Sequence, residues 1–457
     1  MAALVAEFPG SQYPERPIHD HTCVIGAGIS GLAVAGTLRS RDLPVTVLER
    51  SSGIGGLWRY PDPAEPGPAY RSLHLNTSAK ITGYSDFPMP ADSPRYPRHD
   101  QVAAYLQRYA DHKGVTDHVE LETEVESLTR TGDGTWLVTS RDRNGLRRYR
   151  QYGHVVVATG HHWSPRLPSL PGDETFPGRR LHSFDYSSPA QHTGRRVIVV
   201  GFGNSAADIS VELSRVAERT VLVQRRGVHV VPKTMLGIPI DEIASAPWWA
   251  RLGFPEQRRL IETLLRLMRG KLTDYGLAEP DHRIFGGALT ISDELLSRIN
   301  HGSLVVRPAI DRIVNSVVHF VDGSREEADD LVYCTGYHIE FPFVPFEWVF
   351  EPAGRVALYQ RVVSLARPDL YFAGLIRPFG AITRLVQAQA EWIADLVEGV
   401  AELPPPQTMR REVDTHLKAA DARYGPSAAD SVQVDFATYL AALRRQRRSS
   451  VLITRRG

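Results

Sequence analysis

With 457 residues, 42% of them apolar and 23% charged, the chain has a globular composition and the length of two ordinary domains. Its 53 Lys and Arg nearly cancel its 52 Asp and Glu, and the formal charge of +1 gives no electrostatic reason for nucleic acid or an anionic membrane as main partner. The two cysteines, Cys23 and Cys334, sit in separate apolar runs that read as buried strands, outside any C-x-x-C or metal spacing, which suits a reducing cytoplasm.

The first 20 residues lack a basic stretch followed by a long apolar core, so no secretory signal is expected. No run approaches the roughly 20 apolar residues that would span a bilayer. From Thr22, "TCVIGAGISGLAVAGTLRSRDLPVTVLER" predicts strand, glycine loop, helix and strand. In Gly26-Ala27-Gly28-Ile29-Ser30-Gly31 the first glycine permits a tight turn, the second lets backbone approach a pyrophosphate, and the third allows close helix–strand packing. Glu49 ends the second strand, where a carboxylate takes the ribose hydroxyls. In "SSGIGGLWRY", Gly55 and Gly56 let the backbone pass a bulky cofactor, with Leu57 and Trp58 beside it.

A Pro-rich irregular stretch follows, from Tyr60 to Pro97, then a short helix near Gln101 to Tyr109 and hairpin strands around Glu120 to Arg150. Val125, on one of these strands, is expected to meet an adenine through its backbone. "HVVVATG" at 154–160 leads into a second Pro-rich segment, read as a domain crossing. "GRRVIVVGFGNSAADISVELSRVAERTVLVQRRG" then repeats the first plan, with Gly201, Gly203, Asn204 and Ser205 in its loop. At the second strand end this unit carries Arg225 and Arg226 where the first has an acid. An arginine fork binds a 2′-phosphate that a carboxylate would repel, so this site is expected to take NADP and the Glu49 site FAD. Residues 240–300 read as mostly helical, with Leu260, Leu264, Leu267 and Met268 as a stripe that packs on a neighbouring surface. "ADDLVYCTGY" echoes "YGHVVVATG", which makes the second unit an insertion in the first. The expected fold is therefore α/β, with two dinucleotide-binding Rossmann-like domains and the NADP domain inserted into the FAD domain. The expected pieces are 1–165, 166–325 and 326–457, the last ending in a solvated arginine-rich tail.

Phe176-x-Gly178-x-x-x-His182-x-x-x-Tyr186, placed just before the second glycine loop, resembles the signature of the flavin-containing monooxygenases. The likeness spans nearly the whole chain through "GAGISG", "VLER", "GGLW", "LNTSAK" leading to "YSDFP", "GFGNSAAD", "CTGY" and "LYFAGLIRPFGAITRLVQAQAEW". The resemblance implies that NADPH reduces FAD, that O2 adds to give a C4a-hydroperoxyflavin, and that a nitrogen or sulfur nucleophile of a small molecule is oxygenated. It makes the signature a linker, with His182 and Tyr186 tying the two domains. It assigns the active-site Asn to Asn76, with Leu75 and Thr77 as cofactor-contacting neighbours, and Ser205 and Asp208 as NADP contacts. Gly336 and the 373–387 segment are expected to return to the flavin, through Thr383 and Gln387. Baeyer–Villiger relatives usually have Trp where this chain has Tyr186, which favours heteroatom oxygenation. Two alternatives stay open. Carbonyl chemistry, by ketone oxygen insertion or aryl-pyruvate decarboxylation, would draw on a cation such as Arg377 or Arg384, and "RRGVHVVPK" is similar to plant enzymes of the decarboxylating kind. A redox-sensing flavoprotein without catalysis is the other. Expected partners are a small-molecule substrate and O2, with no metal, nucleic acid or membrane span. A homodimer is one expected assembly.

Overall fold

The computed structural model describes residues 20–60, 65–287, 289–425 and 427–454. The segment 1–19, which carries most of the leader reading, lies outside them. Strand Thr22–Ile25 is wholly buried and pairs in parallel with Val45–Leu48 on one side and His154–Val157 on the other. Parallel neighbours need a crossover, and helix Ile29–Arg39 supplies the first. It is apolar nearly all round because it lies between the sheet and helix Thr383–Val397. Val119–Glu120 extends one edge, and Leu370–Phe372, Val363–Ser364 and Leu358–Tyr359 build the other, giving seven strands drawn from both ends of the chain. Thr123–Arg130, Trp136–Asp142 and Arg147–Tyr152 form a separate antiparallel sheet where hairpins are expected.

The second sheet has five parallel strands, with Arg196–Val200 between Arg219–Val223 and Asp330–Tyr333, and Val305–Arg307 and Arg179–His182 at the edges. All five lie in sequence between His154–Val157 and Leu358–Tyr359 of the first sheet, so the second unit is an insertion. The chain leaves and returns through two short strands, Ser164–Pro165 and Tyr337–His338, that pair antiparallel. The Arg166 N–H donates to Gly336 O at 3.0 Å, and the Thr335 hydroxyl to Arg166 O at 2.5 Å.

Five sequence expectations are corrected here. The boundary at 325/326 is too early, because the wholly buried "DLVY" of Asp330–Tyr333 is a central strand of the second sheet and the return falls after it. Cys23 lies in a buried strand, but Cys334 follows one and is partly exposed. Residues 240–300 contain helices Ile240–Ser245, Phe254–Arg269 and Leu295–Asn300, but also strand Leu289–Ile291, held in register by His229–Val231. In Phe254–Arg269 the inward positions are Ile261 and Leu265, whereas Leu267 is 78% and Met268 47% exposed, so most of the expected stripe faces outward. The tail is not simply solvated either. Helix Phe436–Thr454 packs on Thr383–Val397, Leu443 is buried, and Arg447 pairs with Asp395 at 2.7 Å and with Glu391.

Candidate functional site

The first glycine loop stands at the carboxyl end of a central parallel strand, where ligands of open α/β sheets bind. Gly26 adopts φ +108°, and a Cβ there would lie 2.7 Å from Ala158 O. A Cβ at Gly31 would lie 1.8 Å from Gly26 O, so the helix can meet the strand this closely only with glycine. Helix Ile29–Arg39 has no side-chain cap and no acid in its first turn, which leaves its amino-terminal N–H groups for an anion. Glu49 is buried and braces the loop: Oε2 accepts the Ala27 N–H at 2.6 Å, and Oε1 accepts the Ser51 N–H and hydroxyl at 2.9 and 2.7 Å. A carboxylate offers about four acceptor sites, so capacity for a ribose hydroxyl is left.

One cavity of about 620 Å³ is lined by Gly26, Gly28, Ser30, Glu49, Gly56, Leu57, Trp58, Leu75, Asn76, Thr77 and Val125, and by Asn204 of the second loop. The Asn76 loop is tied down on both sides, by Leu75 N–H to Pro97 O and by Ala79 N–H to Arg95 O, each at 2.9 Å. Asn76 Oδ1 is buried with no hydrogen-bond partner among the described residues. A buried acceptor without a partner is costly, and a donor from a bound group would relieve that cost.

Sequence reasoning missed part of this wall. Ala158, Thr159, Gly160, His161, His162 and Trp163 also line the cavity, as do Phe343 and Arg377. The signal was present: "ATG" directly continues His154–Val157, the neighbour of Thr22–Ile25, so its end opens beside Gly26. Burial pushes the His162 pKa down to about 4, with Arg377 adding to it, and burial likewise holds His161 well below its usual value. Both rings are neutral at pH 7. The Arg50 guanidinium lies 5.5 Å over the Trp163 ring.

The returning segment fits the expectations unevenly. Arg377 lines the cavity and its guanidinium makes no hydrogen bond or ion pair among the described residues. Arg384 lies outside it, in a separate groove with Arg444. Thr383 is buried behind Ile382 rather than lining the cavity. Gln387 is also displaced from its expected role: Oε1 accepts the Ser85 N–H and Nε2 donates to Asp86, each at 2.7 Å. Gly336 is likewise spent on the crossing.

In the second loop Gly201 fits against Cys334 O, and Gly203 has nothing within 4 Å of where a Cβ would stand. Helix Asn204–Leu213 is again uncapped, with Ser205 in its first turn. Asn204 Oδ1 accepts the Ile291 N–H at 2.8 Å. Arg225 and Arg226 are exposed just beyond Arg219–Val223, with no ion partner among the described residues. Asp208 does not line the cavity and accepts the Tyr70 hydroxyl. The signature stretch forms the edge strand Arg179–His182 and its flanks. Phe176 is buried in the second unit's core, His182 Nδ1 accepts the Phe184 N–H at 3.1 Å, and Tyr186 donates to Glu212 at 2.9 Å.

Two glycine loops, one with a buried acid and one with free arginines, open toward a shared cavity without a cysteine pair. That layout defines a flavoprotein oxidoreductase supplied by a nicotinamide dinucleotide. The family described as Flavin-binding monooxygenase-like matches residues 19–449. Flavin-containing monooxygenase 5 of Rattus norvegicus is 34% identical over 429 residues, covering 90% of this chain and 80% of its own. Flavin-containing monooxygenase 1 of Homo sapiens is 33% identical, covering 91% and 81%. Among solved structures, S-allyl-L-cysteine S-oxygenase from Allium sativum is 25% identical with TM-score 0.70, covering 93% of this chain and 88% of its own. Closed cyclohexanone monooxygenase shares the fold, with TM-score 0.70 at 18% identity and coverage of 96% and 97%. The chain belongs to the flavin-binding monooxygenase-like family, and is an FAD- and NADPH-dependent monooxygenase. Among the described residues no helix is long and apolar enough to cross a membrane, and no cluster has the makings of a metal site.

Proposed function

We propose that this monooxygenase oxygenates a nitrogen or sulfur nucleophile of a small molecule, and that Asn76 is its central active-site side chain. The observation that carries the reading is the single cavity that joins the Glu49 loop, Trp58, Asn76 and Asn204. FAD would lie along Gly26, Gly28 and Ser30 with its ribose at Glu49, its adenine end at Val125 and its ring beyond Gly56, Leu57 and Trp58. NADP would lie on Gly201, Gly203 and Ser205 with its 2′-phosphate between Arg225 and Arg226. Held by these residues, FAD would supply the oxygen-activating chemistry. The chain's own work is positional. The Asn76 carboxamide offers a donor and an acceptor together, which suits orienting flavin and nicotinamide side by side. His161 and His162, neutral at pH 7, bring no charge to the cavity wall. Relatives named dimethylaniline monooxygenase (N-oxide-forming) 2 and S-allyl-L-cysteine S-oxygenase support the substrate class.

Arg377 favours a second reading, because an unpaired guanidinium in the cavity suits a carbonyl or carboxylate substrate. The test is NADPH consumption and product mass with a tertiary amine, a thioether, a ketone and an α-keto acid. Amine or thioether turnover to the N- or S-oxide is expected; turnover of the ketone or keto acid alone would replace the first reading by the second. The Asn76→Ala enzyme is expected to keep FAD and lose about 100-fold in turnover.

A further inference from the structure

Asn76 belongs to the first unit, yet the residues that bracket it are gripped from the second. The Lys233 ammonium donates to Leu75 O at 3.2 Å. Asp241 Oδ2 accepts both the Ser78 N–H at 2.7 Å and the Ser78 hydroxyl at 2.9 Å. A small hairpin sets these two side chains next to each other. Thr234–Met235 pairs with Ile238–Pro239 around a turn at Leu236 and Gly237, and the Ile240 N–H closes on Lys233 O at 3.0 Å. The hairpin is seated on the first unit by Tyr96, whose hydroxyl donates to Lys233 O at 2.8 Å, and by Arg95, which donates to Gly237 O at 3.0 Å.

The same hairpin is connected to the second glycine loop by hydrogen bonds at every step. The Thr290 hydroxyl donates to Phe202 O at 2.6 Å, and the Ile291 N–H to Asn204 Oδ1 at 2.8 Å. Strand Leu289–Ile291 pairs in register with His229–Val231, and the Ser292 N–H donates to Val231 O at 3.0 Å. Asp293 then accepts the Lys233 N–H at 2.8 Å. One strand thus links the Phe202–Asn204 loop by hydrogen bonds to Lys233, the residue that holds Leu75. Asp241 is not a fully paired staple, since its Oδ1 is buried without a partner. A polar group kept at such a cost, one atom away from the active-site loop, is accounted for by orientation of that loop.

We propose that Lys233 and Asp241 are positioning residues that fix Asn76 from the inserted unit and couple nucleotide occupancy at the second glycine loop to the flavin site. The proposal rests on the reading of Asn76 given above. Coupling of this kind is a free energy between two sites and can be measured from either.

The experiment uses full-length FAD-loaded enzyme. NADP+ affinity is measured by calorimetry, and the flavin midpoint potential is measured separately with and without saturating NADP+. Wild type is expected to bind NADP+ and to show a shift in potential. Lys233→Met and Asp241→Leu are expected to lose half or more of that shift while retaining bound FAD, and Lys233→Arg to preserve it. A wild-type-sized shift in both variants, or NADP+ binding to wild type with no shift, overturns the proposal. Failure of wild type to bind NADP+ would instead overturn the assignment of the second loop, and the proposal with it. If Asp241→Leu fails to fold, Ser78→Ala removes one hydroxyl from the same contact and is read in the same way.

Discussion

The Tyr70 hydroxyl donates to Asp208 Oδ2 at 2.6 Å, joining a first-unit loop to the helix that follows the second glycine loop. The Tyr70 ring also packs edge-on against Tyr186, 6.2 Å between centroids. Burial raises the Asp208 pKa and the Tyr70 bond opposes that rise. Tyr70→Phe removes the donor and leaves the carboxyl buried, at an expected cost of about 1–2 kcal/mol, read from the denaturant midpoint.

Arg225 and Arg226 make no hydrogen bond or ion pair through their side chains among the described residues, so replacing them should act mainly on nucleotide binding. The double Arg225→Ala, Arg226→Ala enzyme is expected to raise the KM for NADPH about 10- to 100-fold and to leave that for NADH nearly unchanged. Equal effects on both nucleotides would remove the 2′-phosphate assignment.

Asp330 is fully buried at the end of a central strand of the second sheet and accepts from His192 at 2.7 Å and from Arg195 at 2.8 Å. Burial alone would raise its pKa, but the bonds from Arg195, His192 and Arg179 more than offset it and hold the carboxylate below its usual range. Its contribution is present above pH ~4 and lost as pH falls further. Asp330→Ala is expected to cost about 3 kcal/mol, measured at pH 7 by thermal or urea unfolding.

His416 titrates in a different window. Burial, with Arg361 next, lowers its pKa to about 4, and Nε2 lies 2.8 Å from Ser431 O. The unfolded chain takes up the proton first, so stability is full above pH ~6.5 and falls as pH drops toward 4, by up to ~3 kcal/mol. His416→Gln is expected to flatten that slope between pH 6.5 and 4. An unchanged slope would assign the acid sensitivity to other groups.

What could be read from the chain depended on how local its cause was. Gly26, Gly31 and Glu49 act through contacts set by one strand–loop–helix, so their sequence spacing carried the geometry. The exposed placement of Arg225 and Arg226 past Arg219–Val223 was legible for the same reason, because the strand end alone decides what stands there. Asp208 and Gln387 were not: each spends its polar atoms on a partner more than 100 residues away, Tyr70 and Ser85 respectively. Periodicity misjudged Phe254–Arg269 because its outward face carries as many large apolar side chains as its inward one. The 325/326 boundary failed because apolar strands of the two sheets look alike in sequence. His161 to Trp163 went unread because a turn leaving a strand carries no pattern until its neighbours are known.

The two crossing strands, paired Pro165 to Tyr337 and Ser164 to His338, place the ends of the inserted unit a single ladder rung apart, about 5 Å. A unit anchored in this way is a cassette. It can be excised by joining 164 to 338 through a two- or three-residue turn, or exchanged for another nucleotide-binding unit whose ends meet at the same spacing, without stretching the sheet that remains.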